Sequence, residues 1–281
     1  MDRRMTGLLL AMLAAATAAG AHDRWEPVYG GRTDDDGSTL NYLHHGATQP
    51  RHDLHTEAFF EEDQDWFAVK VSAGHSYEAR VNGGNTYWST TCTVAACPRF
   101  DRVDAAGAVL TPGVISADDE PIVISRGSSG AQNAGRGMTV RWIAQGTDVG
   151  YLRALSDSYV LLGPETFYDV SFRDTTYFAP RWNNTGSQVS VVVVQNLKST
   201  AVNGDISFFD ADGTLLGSLP IALGPHALYI LNTASAPGLA GQSGSASIAH
   251  LGGYGALAGK IVSLEPATGF TFDTAFTPLP Y

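Results

Sequence analysis

The residues able to do chemistry fall into a few separable groups. A serine hydrolase of the nucleophile-elbow type needs Gly-x-Ser-x-Gly on a strand-to-helix turn. Gly74-His-Ser76-Tyr-Glu78 ends on Glu, and Gly241-Gln-Ser243-Gly-Ser245 ends on Ser. Both stand at expected strand starts with no helix to follow. A triad on a β fold requires no such motif, so a hydrolase with a site at a domain interface stays as an alternative. Its mark would be a polar pocket with a nucleophile hydrogen-bonded to histidine. The sequence holds no HExxH zinc-hydrolase pairing.

Histidines 44, 45, 52 and 55, with Asp53 and Glu57, carry the nitrogen and oxygen donors of a transition-metal site. On a strand His52 and Asp53 point to opposite faces, which works against a common centre. A solvated polar lead-in, weakly ordered or else an edge strand of the first sandwich, is therefore the expectation. Asp34 with Asp36, Glu61 to Asp65, Asp118 to Glu120, and Asp210 with Asp212 are oxygen-rich clusters suited in type to calcium. None matches a full EF-hand loop, and Asp65 and Gly213 also read as turn residues. Cys92 and Cys97 are the chain's 2 cysteines. In an oxidising compartment their short spacing points to a local disulfide, whereas zinc would need two more ligands that the spacing does not supply. Tyr87 and Trp88, and Tyr177 with Trp182, are aromatic pairs able to stack on a sugar or anchor a protein partner. In a β-sandwich such rings more often fill the core; Trp88 is the one expected at the surface.

The elements that must position these groups are strands. In Asp65-Trp-Phe-Ala-Val-Lys-Val71, residues Phe67, Val69 and Val71 share a face, opposite Trp66, Ala68 and Lys70. After a turn at Gly74, Tyr77, Ala79 and Val81 oppose Ser76, Glu78 and Arg80. Further runs follow at Phe100 to Leu110, Pro121 to Arg126, Gly137 to Ala144 and Val149 to Ala154. Gly163-Pro164 then interrupts the pattern, and a second unit is expected from residue 165, opening with a strand at Thr166 to Phe172. Val191 to Val194 is apolar at consecutive positions, as in a strand covered on both faces. Phe209-Asp-Ala-Asp-Gly213-Thr-Leu-Leu216 reads as a hairpin with Gly213 at positive φ, and Val103-Asp-Ala-Ala-Gly107-Ala-Val-Leu110 repeats its phrase. No helical period appears after the N-terminal segment.

That segment, residues 1–21, reads as a signal peptide: Arg3 and Arg4, an apolar run from Leu8 to Ala16, and the small-residue site Ala19-Gly20-Ala21. The apolar run is shorter than the ~20 residues that span a bilayer, and no later stretch is long and apolar enough to do so. The chain is thus expected to be exported, whether to the periplasm, the cell surface or the medium. A net charge of -11 over 281 residues argues against nucleic acid, whose phosphates call for clustered Lys and Arg.

The run from Glu61 through Asp65-Trp-Phe to Val71, then Ala73-Gly74 and a second strand opened by Tyr77, resembles the bacterial pre-peptidase C-terminal domain. The stretches Tyr177 to Asn184, Gln188 to Asn196, Gly241 to Ser245 and Gly269 to Asp273 are similar to an immunoglobulin-like module found beside such domains in secreted bacterial proteins. The resemblance implies an accessory role without catalytic residues, although the peptidase that gives the domain its name is missing here. Some of these domains bind calcium, which would place a structural calcium at Glu61, Asp63 and Asp65; no other cofactor is expected. The resulting expectation is an all-β chain of two β-sandwich domains: residues 22–164, jelly-roll-like, and residues 165–281, immunoglobulin-like. Its role would be that of a binding or accessory protein whose partner is a polysaccharide or an extracellular protein. A purely structural spacer is the other alternative.

Overall fold

The computed structural model describes residues 37–53, 64–83, 98–115, 137–156 and 167–280. Within them the chain is all-β and sandwich-type, with antiparallel sheets, one parallel pairing, and one short 3₁₀ turn at Thr233–Ser235. No helix among the described residues is long and apolar enough to cross a membrane.

The first ten strands are β1 (Tyr42–Leu43), β2 (Thr48–Asp53), β3 (Gln64–Val71), β4 (Ser76–Gly83), β5 (Pro98–Val103), β6 (Val109–Thr111), β7 (Val114–Ile115), β8 (Met138–Ile143), β9 (Asp148–Ser156) and β10 (Phe167–Asp174). They form sheet I, in the order β1-β3-β9-β5-β6, and sheet II, in the order β2-β10-β4-β8-β7. Alternation sends Phe67, Val69 and Val71 from β3, and Tyr77, Ala79 and Val81 from β4, into one shared core with Tyr168, Val170 and Phe172 of β10. The opposite side of β3 is not solvated at Trp66. Its ring lies edge-on to Tyr151, with the Arg153 guanidinium 5.6 Å from its centroid.

The remaining strands are β11 (Tyr177–Asn183), β12 (Val189–Asn196), β13 (Val202–Phe209), β14 (Leu215–Leu223), β15 (Leu228–Asn232), β16 (Ser243–His250), β17 (Leu257–Glu265), β18 (Phe270–Ala275) and β19 (Thr277–Pro278). Sheet III runs β14-β13-β16-β11-β19 and sheet IV runs β15-β12-β17-β18. A second apolar core lies between them, built on Trp182, Val192, Val194, Ile206, Phe208, Ile248 and Ile261.

Three expectations need correction. The strand at Thr166 to Phe172 does not open the second unit: β10 pairs with β2 on one side and with β4 over seven residues on the other. The chain passes between sandwiches at Thr175 and Thr176, about ten residues beyond the Gly-Pro interruption. The lead-in is not solvated, weakly ordered chain but, as its alternative had it, edge strand of the first sandwich: β1 pairs parallel with β3 at the edge of sheet I, and β2 pairs with β10 at the edge of sheet II. Val191 and Val193 are only half-buried, with Ile230 and Lys260 flanking Val193 on the outer side of sheet IV. One face of β12 is therefore covered, not two.

The matching hairpin phrases fold alike. Asp210 Oδ1 accepts from the N–H groups of Asp212 and Thr214, and Asp104 Oδ1 accepts from those of Ala106 and Ala108. Gly213 and Gly107 take φ of 82° and 85°. Each aspartate organises a turn whose fourth residue must be left-handed, which is why glycine stands there.

Candidate functional site

The junction between the sandwiches is a polar network centred on Asp174, the last residue of β10. His75 Nδ1 donates to Asp174 Oδ2 at 2.7 Å, and the Thr176 N–H donates to Asp174 Oδ1 at 2.9 Å. Burial alone would raise the Asp174 carboxyl. The hydrogen bonds from His75 and Thr176 outweigh it and hold the group below the ordinary carboxylate range. The Asp174 N–H donates to His45 Nδ1, and His45 Nε2 donates to the Pro280 carbonyl at 3.1 Å, so His45 joins both sandwiches. Ser76 is fully buried: its N–H donates to Thr176 Oγ1 and its hydroxyl accepts from Thr175 Oγ1. His250, at the end of β16, is buried against Tyr177 with ring centroids 5.5 Å apart. Burial, reinforced by the Arg141 charge, pushes its pKa down to about 4. Burial likewise drives the Tyr77 phenol, which accepts from the Ser72 N–H, up to about 12.

Beside this junction lies the outer face of sheet II. Because Tyr77, Ala79 and Val81 point inward, Glu78, Arg80 and Asn82 must point outward. The same parity puts Asp169, Ser171 and Arg173 of β10 on that side. Register then makes rows across the strands. Arg173, Glu78 and Arg141 form one, Ser171, Arg80 and Thr139 the next, and Asp169 pairs with Asn82. Arg141 Nε donates to Glu78 Oε2 at 2.6 Å, and Asp169 Oδ1 accepts from the Arg51 N–H at 3.0 Å. A groove of about 120 Å³ runs between Arg80, Asn82 and Arg173, with Thr48, Glu78, Asp169 and Ser171 also lining it. The second sandwich closes one end. The Arg173 guanidinium stands over the Tyr254 ring at 5.3 Å, and Gly253 lies so close to the Glu78–Arg141 pair that a Cβ there would be 3.0 Å from both side chains.

A larger recess of about 420 Å³ opens at the far end of sheet III, between Arg181, Asn183, Asp210 and Ser243. The Arg181 guanidinium lies over the Phe272 ring at 4.6 Å.

The residues expected to bind ligand are mostly placed elsewhere. Trp182 lines that recess but presents no ring face: it is fully buried, edge-on to Phe208, and its Nε1 donates to the Ser245 carbonyl at 2.9 Å. Tyr177 is buried against His250 rather than stacked at a surface. Asp65 points inward beside Phe67 and accepts from the Tyr168 hydroxyl, so it is a buried partner of a phenol rather than an exposed turn residue. Tyr87, Trp88, Glu61, Asp63, Cys92 and Cys97 lie outside the described residues. No group of three or more metal-ligating side chains forms among the described residues. The histidine stretch is split up: His45 serves the junction, and His52 is fully buried between Phe67 and Tyr168, with Nε2 3.2 Å from Gln49 Oε1. Alternation in the sequence puts Glu78 and Arg80 on one polar face. It does not reveal the groove, because Asp169, Ser171 and Arg173 read as part of the other sandwich.

No protein family and no curated protein matches the chain. Among solved structures it is similar, distantly, to a calcium binding mutant of Bacteroides uniformis beta-glucuronidase 2, at 11% identity and a TM-score of 0.21 over 81% of this chain and 28% of that one. A second structure of Bacteroides uniformis beta-glucuronidase gives 10% identity and a TM-score of 0.19, over 81% and 27%. The chain thus spans little more than a quarter of the length of these proteins.

Proposed function

We propose that this chain is an exported, non-catalytic binding or accessory protein of two β-sandwich modules, whose partner is a polysaccharide or an extracellular protein. The observation that carries the reading is the outer face of sheet II. There, charged and hydrogen-bonding side chains from adjacent strands are held at fixed spacing beside a well-bonded junction. Rigid strands make a better recognition platform than loops because their side chains lose less freedom on binding. The signal-peptide pattern of residues 1–21 and the resemblance to pre-peptidase C-terminal domains agree with it.

A hydrolase has one feature in its favour, the His75–Asp174 pair at the interface. Two of the groups around that pair are already engaged in structure. Both ring nitrogens of His45 are in backbone hydrogen bonds, and the neighbouring Ser76 hydroxyl is buried and bonded to Thr175. A screen of the chain from His22 against a panel of polysaccharides, with and without calcium, tests both readings. Saturable binding without release of reducing ends is expected. Turnover of any polysaccharide, lost in His75→Ala, would replace the binding reading with the hydrolase.

A further inference from the structure

We propose that the outer face of sheet IV is a contact surface on which two copies of this chain pack face to face about a two-fold axis. This goes beyond the binding reading above and uses neither sheet II nor the junction. The inner side of the sheet is committed to the second core through Val192, Val194 and Ile261. Alternation then turns Val189, Val191 and Val193 of β12 outward, and register sets their neighbours beside them. Ile230, Val193 and Lys260 make one row, and Val191, Val262 and Asp273 make the next. Val189 and Leu264 begin a third. The aliphatic side chains of these rows lie together at an outer surface, with Ile230 63% and Leu264 38% exposed. On the water side of an antiparallel sheet polar residues are the rule, and a contiguous apolar patch marks a contact.

The chemistry of the face selects its occupant. The rows are aliphatic rather than aromatic, so a sugar finds no ring to stack on. Their charged side chains are Lys260 and Asp273, joined to each other at 2.7 Å. The face is therefore neutral on a chain of net charge -11, and two copies meet there without the repulsion that other faces impose. It is also self-complementary, as a two-fold contact requires. Strands stand ~4.8 Å apart and residues ~3.3 Å apart along them. On that grid, an axis drawn between Lys260 and Asp273 sets each against its opposite in the other copy. The same axis lays Ile230 of one copy over Leu264 of the other and keeps Val191 and Val262 beside their own counterparts. With β12 of 8 residues and β17 of 9, the four strands present a face of roughly 500 Å², or about 1,000 Å² for two copies, which is the lower bound of a specific interface. The outcome is a reversible dimer with a Kd on the order of 100 μM or tighter.

The test is sedimentation of the chain from His22 over a concentration series from about 1 μM to about 1 mM. Dimer should accumulate as concentration rises. Ile230→Glu and Leu264→Glu put a charge at exposed positions where aliphatic side chains meet, and each should weaken the dimer about tenfold or more. Lys260→Glu and Asp273→Lys should each leave the protein monomeric alone, because like charges then face each other across the axis. Mixed together, those two proteins should form a heterodimer in which every facing pair is opposite in sign. Recovery in the mixture also shows that each variant is folded, and circular dichroism checks the same point for each alone. A chain that stays monomeric at every concentration, or a dimer unmoved by all four substitutions, would overturn the proposal. So would a mixture that stays monomeric although both of its proteins are folded. Binding of lipid vesicles by a monomeric chain, lost in Ile230→Glu, would assign the face to a membrane and overturn the second copy as its occupant.

Discussion

His75, in the turn before β4, and Asp174, at the end of β10, meet at 2.7 Å where the chain leaves one sandwich for the other. His75 also faces the Phe178 ring of the second sandwich at 5.3 Å. The pair thus fixes the exit of β10 and touches β11, the next strand.

Asp174→Ala removes the acceptor for both His75 and the Thr176 N–H in a buried setting. It should cost about 2–4 kcal/mol, the range for breaking a buried charged hydrogen-bond set. Urea unfolding followed by tryptophan fluorescence should show the loss. A change under ~0.5 kcal/mol, the scale of an ordinary surface substitution, would mean that the junction is held without this network.

Stability should fall with acid in two stages. His250 has an ordinary pKa of 6.5 and a folded value of about 4, so the unfolded chain takes up this proton first. Stability is full above about pH 6.5 and declines as pH falls toward 4. Asp174, held below its ordinary 3.8, contributes a further loss only beneath that pH. His250→Asn keeps a side-chain acceptor for the Gly252 N–H and should flatten the first stage alone in unfolding titrations across that range.

The two aspartate turns allow a graded comparison. At Gly213 nothing lies within 4 Å of an added Cβ, so Gly213→Ala should cost only the left-handed backbone term, ~1–2 kcal/mol. At Gly107 a Cβ would also stand 3.2 Å from Arg153 Nη1 and 3.5 Å from the Trp66 ring. Gly107→Ala should therefore cost more, measured by the same denaturant midpoint.

Trp182→Ala should destabilise by about 3–5 kcal/mol, as expected of a fully buried indole. Trp182→Phe, which retains most of the packing, should leave carbohydrate binding intact. Loss of binding in a folded Trp182→Phe protein would return the ligand to the recess beside Arg181.

The alternation of β3 and β4 was legible because one face of each meets a core, and the Asp-x-x-Gly turns were legible because only glycine relieves their left-handed residue. The boundary was not. Gly163-Pro164 marks a local break, whereas β10 is assigned by its hydrogen bonds to β2 and β4, a non-local pairing that no stretch of ten residues encodes. The same holds for aromatic rings: an indole able to stack on sugar and one packed on Phe208 are identical in sequence, and what decides is the register shift of β11 between Ala179 and Trp182, which turns Trp182 into the core that Tyr177 and Ala179 share. Val191 to Val194 misled for a related reason, since apolar residues at consecutive positions state preference for a strand without stating how many faces are covered. His45 and His52 looked alike as polar lead-in and were separated by the sheets that received them.

The most direct test of a binding platform on sheet II is hydrogen–deuterium exchange of the chain from His22, with and without a saturating concentration of a polysaccharide that binds it in the panel. The account predicts added protection confined to β4, β10 and the Leu251 to Gly255 loop that carries Tyr254. Protection confined to the second sandwich near Arg181 and Asp210, or none despite saturation, would contradict it.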